Sequence, residues 1–140
     1  MNFSRKASAS WEGSGKEGKG SISTGSGVMS KVQYSFGTRF EDGNPGTNPE
    51  ELIGAAHAGC YTMQLSFLLN EDDFTADHLH TDATVTFKDG EITEVLLHLT
   101  GKVPNISKDK FVEIAEKAKD ICPVSKLLNT SIVLAVKLEE

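Results

Sequence analysis

Two cysteines, Cys60 and Cys122, are the only thiols in this 140-residue chain, and 62 positions separate them. A deprotonated thiol is a nucleophile and a soft metal ligand, so a thiol pair can attack, form a disulfide or hold a metal. The first residues, Met1-Asn2-Phe3-Ser4-Arg5-Lys6, contain no apolar signal segment. That points to a reducing, cytoplasmic compartment, where thiol pairs tend to be catalytic, redox-sensing or metal-binding. Two unrelated buried thiols are the plain alternative.

Cys60 lies within Leu52 to Leu69, a stretch free of Asp, Glu, Lys and Arg. Burial raises a thiol pKa and makes it inert, so a reactive Cys60 needs a cation from elsewhere in the fold. Arg39, in Gly37-Thr38-Arg39-Phe40, is the candidate. Its guanidinium keeps its charge when buried and has a planar fork. It also reads as an ordinary surface arginine. Glu50 can hold that fork by a bidentate pair, or can simply favour its helix N-terminus. Ten residues separate Glu50 from Cys60, about 15 Å along a helix. Glu50 therefore serves the Cys60 site through an intervening arginine or from another subunit, and the site belongs at or near a dimer interface.

Cys122 precedes Pro123, which fits a fresh helix start and puts the thiol near an N-cap. The positive end of the helix dipole lowers a thiol pKa there. Cys122 suits a resolving or an attacking thiol, or a small residue tolerating the turn. His57 precedes Cys60 by three residues, on an adjacent part of one helix face. A thiol–imidazole pair, a metal site with both cysteines, and a packed histidine all fit that spacing. The metal reading lacks a fourth ligand. His78, His80 and His98 show no ligand spacing with the cysteines.

Other chemistries find little support. There is no Cys-x-x-Cys, no phosphate-binding glycine loop and no Ser-His-Asp arrangement. The net charge of −6, with lysines and arginines scattered, argues against nucleic acid. Leu52 to Leu69 is long enough for a membrane span, but His57, Gln64 and Ser66 make it too polar and it reads as a helix buried on nearly every side.

The elements that must position these residues follow from pattern. Residues 1–47, rich in Gly and Ser, read as a small antiparallel meander, with 40–46 a loop. Asn48 caps a helix to about Asn70, with Pro49 at its first position and Glu51 at the capping-box position. A hairpin over 83–103 follows, then a helix over 108–120 with Phe111, Ile114, Ala115 and Ala118 as its stripe, a short helix after Cys122, and a strand over 131–138. Strands, helix, hairpin, helices and strand make an α+β domain with antiparallel sheet. The thin, apolar middle of the long helix calls for a partner subunit as cover.

Taken together, Gly46-Thr47-Asn48-Pro49-Glu50-Glu51-Leu52-Ile53-Gly54-Ala55-Ala56-His57-Ala58-Gly59-Cys60 and Cys122-Pro123-Val124-Ser125 resemble the OsmC/Ohr family of hydroperoxide reductases, in its OsmC branch. Trp11-Glu12-Gly13 with Gly18-Lys19-Gly20, and Thr38-Arg39-Phe40-Glu41, match as well, so the resemblance covers nearly the whole chain. It implies one OsmC-like domain over 1–140, with antiparallel sheets packed around a buried central helix in an intertwined homodimer. It implies Cys60 as peroxidatic thiol, Cys122 as resolving thiol, and Arg39 and Glu50 completing the site. His57 is a marker of the branch. The implied reaction consumes an organic hydroperoxide, and hydrogen peroxide more weakly, without cofactor or metal. Cys60 becomes a sulfenic acid, Cys122 closes a disulfide, and an external dithiol resets both; the wider family points to lipoylated proteins as that dithiol. Leu52, Met63 and Phe67 would favour alkyl peroxides. The rival expectation is a non-catalytic dimer that senses oxidation or binds an apolar ligand.

Overall fold

The computed structural model describes residues 1–140 as two compact units, Met1–Leu52 and Ile53–Glu140. In the first unit, β1 (Ala7–Glu12), β2 (Lys19–Thr24) and β3 (Val32–Tyr34) form an antiparallel meander in that order. Trp11 and Tyr34 meet edge to face, ring centres 5.4 Å apart, over Gly20, where a side chain would strike both rings. Only Thr38 and Thr47 are buried in this unit, so its sheet has no apolar core of its own.

A short helix, α1 (Phe36–Phe40), was not legible in the sequence, because five residues are too few for a period to show. Ser35 and Thr38 cap it reciprocally: the Thr38 amide donates to Ser35 Oγ at 3.2 Å and the Ser35 amide to Thr38 Oγ1 at 2.8 Å. Asn48 then ties α1 to the next helix by donating to the Thr38 carbonyl at 3.1 Å.

That next helix, α2 (Pro49–Glu71), starts as expected, with the Glu51 amide donating to Asn48 Oδ1 at 2.8 Å. Glu51 departs from the capping box: its carboxylate accepts from the Thr47 hydroxyl at 2.7 Å.

The second unit holds β4 (His78–Lys88), β5 (Glu91–Lys102), α3 (Lys108–Ile121), α4 (Pro123–Leu127) and β6 (Ser131–Glu139). Asp89 and Gly90, with φ of 50° and 84°, make the tight turn between β4 and β5. The α+β class is as expected, but the sheet is not antiparallel throughout. β6 pairs parallel with β5, Val95 opposite Ile132 and Leu99 opposite Val136. The physical reason is the connection. Residues 103–130 contain two helices, which carry the chain back to the starting edge, as a parallel pair requires.

The core lies between β5 (Val95, Leu97, Leu99), α3 (Phe111, Ile114, Ala115, Ala118) and one stripe of α2 (Tyr61, Leu65, Leu68, Leu69). Gly54 of α2 faces Val85 and Ala83 of β4. The expectation of a helix buried on nearly every side is corrected within one chain. Ala55, Ala56, Gly59, Met63 and Phe67 are exposed, Met63 at 62% and Phe67 at 58%. By length and composition α2 could cross a membrane. The complete burial of Tyr61, Leu65 and Leu69 against sheet and helix makes it a core helix instead.

α3 sits on the sheet through Phe111, whose ring occupies the space above Gly101. A Cβ at Gly101 would lie 2.5 Å from Phe111 Cζ and 3.1 Å from Leu79 Cδ2. Gly101→Ala should therefore cost about 1–3 kcal/mol through overpacking, despite alanine's better strand propensity. An unchanged urea midpoint would show that α3 yields freely.

Candidate active site

The backbone at residue 122 builds the site. A residue before proline is disfavoured in the helical region, so α3 must end there. Cys122 takes φ −58° and ψ 123°, closes α3 by donating its amide to the Ala118 carbonyl at 3.0 Å, and opens α4 through its own carbonyl, which accepts from Lys126 at 3.0 Å. Pro123 occupies the first position of α4, where no amide is needed. The sharp turn aims the Cys122 side chain, fully buried, at α2.

Cys60 meets it there. It lies beside the buried Tyr61 at the margin of the core and is partly open to solvent. It packs against the core that contains Cys122, close enough for the Cys122 thiol and the Val124 backbone to act on its charge. No disulfide joins the two cysteines. Burial pushes the Cys60 pKa up, the Val124 amide opposes this, and the Cys122 thiol adds to the rise by hydrogen bond and by charge. Burial also pushes the Tyr61 hydroxyl far up, with Glu116 and Cys122 contributing. Tyr61 stays protonated and donates to the Ala115 carbonyl at 3.1 Å.

His57, one turn before Cys60, is fully buried, and burial lowers its pKa. Its Nε2 shares a 2.7 Å hydrogen bond with Ser125 Oγ on α4, while Nδ1 has no partner. The imidazole thus engages α4 and does not join the thiols in a metal-ligand set; no group of three such ligands is assembled.

The other expected pair lies in the first unit. Arg39, on α1, donates from Nε to Glu50 Oε1 at 2.8 Å and from a terminal nitrogen to Oε2 at 3.2 Å. This is the fork-to-carboxylate geometry that fixes a guanidinium most firmly. The Phe40 ring lies 5.1 Å from the guanidinium carbon. Glu50 is 14% exposed and Arg39 37%, so the carboxylate is held inward and the cation keeps an open side. The four expected residues therefore come together as two pairs, Cys60 with Cys122 and Arg39 with Glu50.

Sequence reasoning missed three contributors. The Val124 amide is invisible in any side-chain pattern. The Phe40 ring is a matter of local packing on an unassigned helix. Ser125 lies 68 positions from His57, and only its place in Cys122-Pro123-Val124-Ser125 hinted at a role.

The chain as a whole has known relatives. The sequence model of the OsmC-like protein family matches residues 41–137. The chain is 46% identical to the peroxiredoxin OsmC of Escherichia coli (strain K12), over 99% of each chain. Among solved structures, an OsmC-like protein from Mycoplasma pneumoniae superposes with a TM-score of 0.78 at 15% identity over the whole of both chains. The organic hydroperoxide resistance protein OhrB of Bacillus subtilis does so with 0.69 at 23% identity over 98% of each. These two likenesses establish the fold: α+β, with two small sheets and four helices. With the family match and the Escherichia coli relative, they make this chain a member of the OsmC family.

Proposed function

We propose that the chain is a thiol peroxidase that reduces organic hydroperoxides with Cys60 as the attacking thiol and Cys122 as the resolving thiol. The observation that carries this reading is that two free thiols 62 residues apart in sequence are brought together at the margin of one core. The half-open Cys60 can meet a peroxide, whereas Cys122 is wholly buried. Its relatives point the same way: one is named a peroxiredoxin, and others are named for organic hydroperoxide resistance. We read residues 1–140 as one domain of the family, since the solved relatives match over nearly the whole chain.

The Cys60 thiolate attacks one peroxide oxygen, the O–O bond breaks, and the alkoxide leaves as an alcohol after taking a proton; Cys60 becomes a sulfenic acid. The Cys122 thiol attacks the Cys60 sulfur and water leaves, forming the disulfide. An external dithiol, for which a lipoylated protein is the candidate, reduces that bond by two exchanges and is itself oxidised to a disulfide. Because burial holds the Cys60 thiol up, the reaction calls for a cation. Arg39, clamped by Glu50, supplies it and orients the peroxide.

The working form is a homodimer. Met63 and Phe67 leave an apolar stripe of α2 uncovered, and the N-terminal sheet has no core. A second copy covers such surface and leaves an apolar approach suited to alkyl peroxides.

In assays with an alkyl hydroperoxide and a dithiol, the wild type should turn over many times. Stopping after one equivalent would mark a redox-sensing or binding protein. Cys60→Ser should be inactive from the start, while Cys122→Ser should consume one equivalent and leave a trappable sulfenic acid; the opposite pattern reverses the roles.

Arg39→Met should raise the Cys60 pKa, so that the rising limb of the rate of Cys60 oxidation against pH moves to higher pH. An unmoved limb removes Arg39 from the chemistry.

Phe67→Glu should weaken the dimer in sedimentation. A wild-type monomer would refute the assembly.

A further inference from the structure

We propose that His57 and Ser125 form a latch that keeps Cys122 in reach of Cys60 after Cys60 is oxidised, and so sets how fast the disulfide forms relative to overoxidation. This rests on the thiol pair's being the redox centre.

His57 precedes Cys60 by three residues on α2, and Ser125 follows Cys122 by three on α4. The contacts run 57 to 125 and 60 to 122, so the two segments pair antiparallel, one tie per helical turn. The imidazole–hydroxyl tie is short, 2.7 Å, and its histidine is sealed from solvent.

Beyond the buried Cys122 at its start, α4 is lightly held. The helix has five residues, none of them buried, and Cys122 provides no side-chain cap for it. Leu127 is 78% exposed. Val124 and Leu128 pack against the core and are only half-buried. Of the polar ties from α4 to α2, the Val124 amide and the Cys122 thiol both act on the Cys60 sulfur itself. When that sulfur gains an oxygen, both ties are disturbed at once. The His57–Ser125 bond is independent of it and persists.

Timing then decides the product. The sulfenic acid at Cys60 has two fates. The Cys122 thiol attacks the sulfur and water leaves. Alternatively a second hydroperoxide transfers an oxygen, giving a sulfinic acid and an alcohol, which a dithiol does not reverse. A held Cys122 favours the first fate. His57 and Ser125 are therefore positioning residues, acting through the placement of Cys122.

The test uses the full-length protein and an alkyl hydroperoxide. Ser125→Ala removes one hydroxyl from a half-buried site and keeps the fold. Stopped-flow kinetics should show Cys60 oxidation at the wild-type rate and disulfide closure slowed about tenfold, as expected for loss of one buried hydrogen bond. With excess peroxide, mass spectrometry should show a larger sulfinic fraction, and Ser125→Thr, which keeps the hydroxyl, should restore closure. Closure at the wild-type rate in Ser125→Ala overturns the latch. So does equal slowing of both steps, which would report general loosening. If the wild type forms no Cys60–Cys122 disulfide at all, the underlying thiol-pair reading has failed, a result distinct from either.

Discussion

Cys122 precedes a proline, and that local restriction organises the site. The residue before a proline is driven out of the helical region, so the chain cannot continue α3 past residue 121. Because proline suits the first position of a helix, a new helix begins immediately. One residue thereby serves as the end of one helix and the start of another, and its side chain leaves the turn toward α2. Had 123 been an ordinary residue, α3 could have run on, carrying position 122 around with its own period.

The turn is useful because of the crossover that contains it. β5 and β6 are parallel neighbours, and the connection between them must cross one face of the sheet. α3 covers that face through Phe111, Ile114, Ala115 and Ala118, alongside the Tyr61, Leu65 and Leu69 stripe of α2. The two helices thus share one core, and the end of α3 is delivered beside the middle of α2. The same burial creates the electrostatic problem. It pushes the Cys60 thiol toward its neutral form, and the Val124 amide compensates only in part. In the first unit the Arg39 guanidinium is fixed by the Glu50 carboxylate, a fork that leaves the side chain little freedom.

Much of this was legible in the sequence, for specific reasons. The cap at Asn48, the stripe of α3 and the alternation of β5 are local signals, written within one turn or one pleat. The pairs Cys60–Cys122 and Arg39–Glu50 were expected from residue type together with a family resemblance. Distance alone could not have given them. What was not legible was non-local or too short. β6 was assigned to an antiparallel sheet because its alternation is the same in either direction; only the two intervening helices encode its direction. α1 has five residues and leans on reciprocal caps at Ser35 and Thr38, which pattern-reading over longer windows passes over. Ser125 is an ordinary half-buried serine until His57 is seen against it.

The long helix shows how one element can meet two demands that sequence alone merges. α2 is apolar around most of its circumference, which first reads as burial on all sides. Within the chain, only the stripe through His57, Tyr61, Leu65 and Leu68 is sealed. The stripe through Ala55, Gly59, Met63 and Phe67 is open. A helix that served a monomer would carry charge on that second face, as α3 does with Lys110, Glu113 and Lys117 on its outer side. Leaving it apolar costs solubility unless another surface is always there to meet it. The uncharged composition that keeps lysine and arginine off Cys60's own helix is thus the same composition that makes that helix adhesive. A thiol in such a helix has no cation on its own element, and the stripe that carries no charge is also the one left open to solvent.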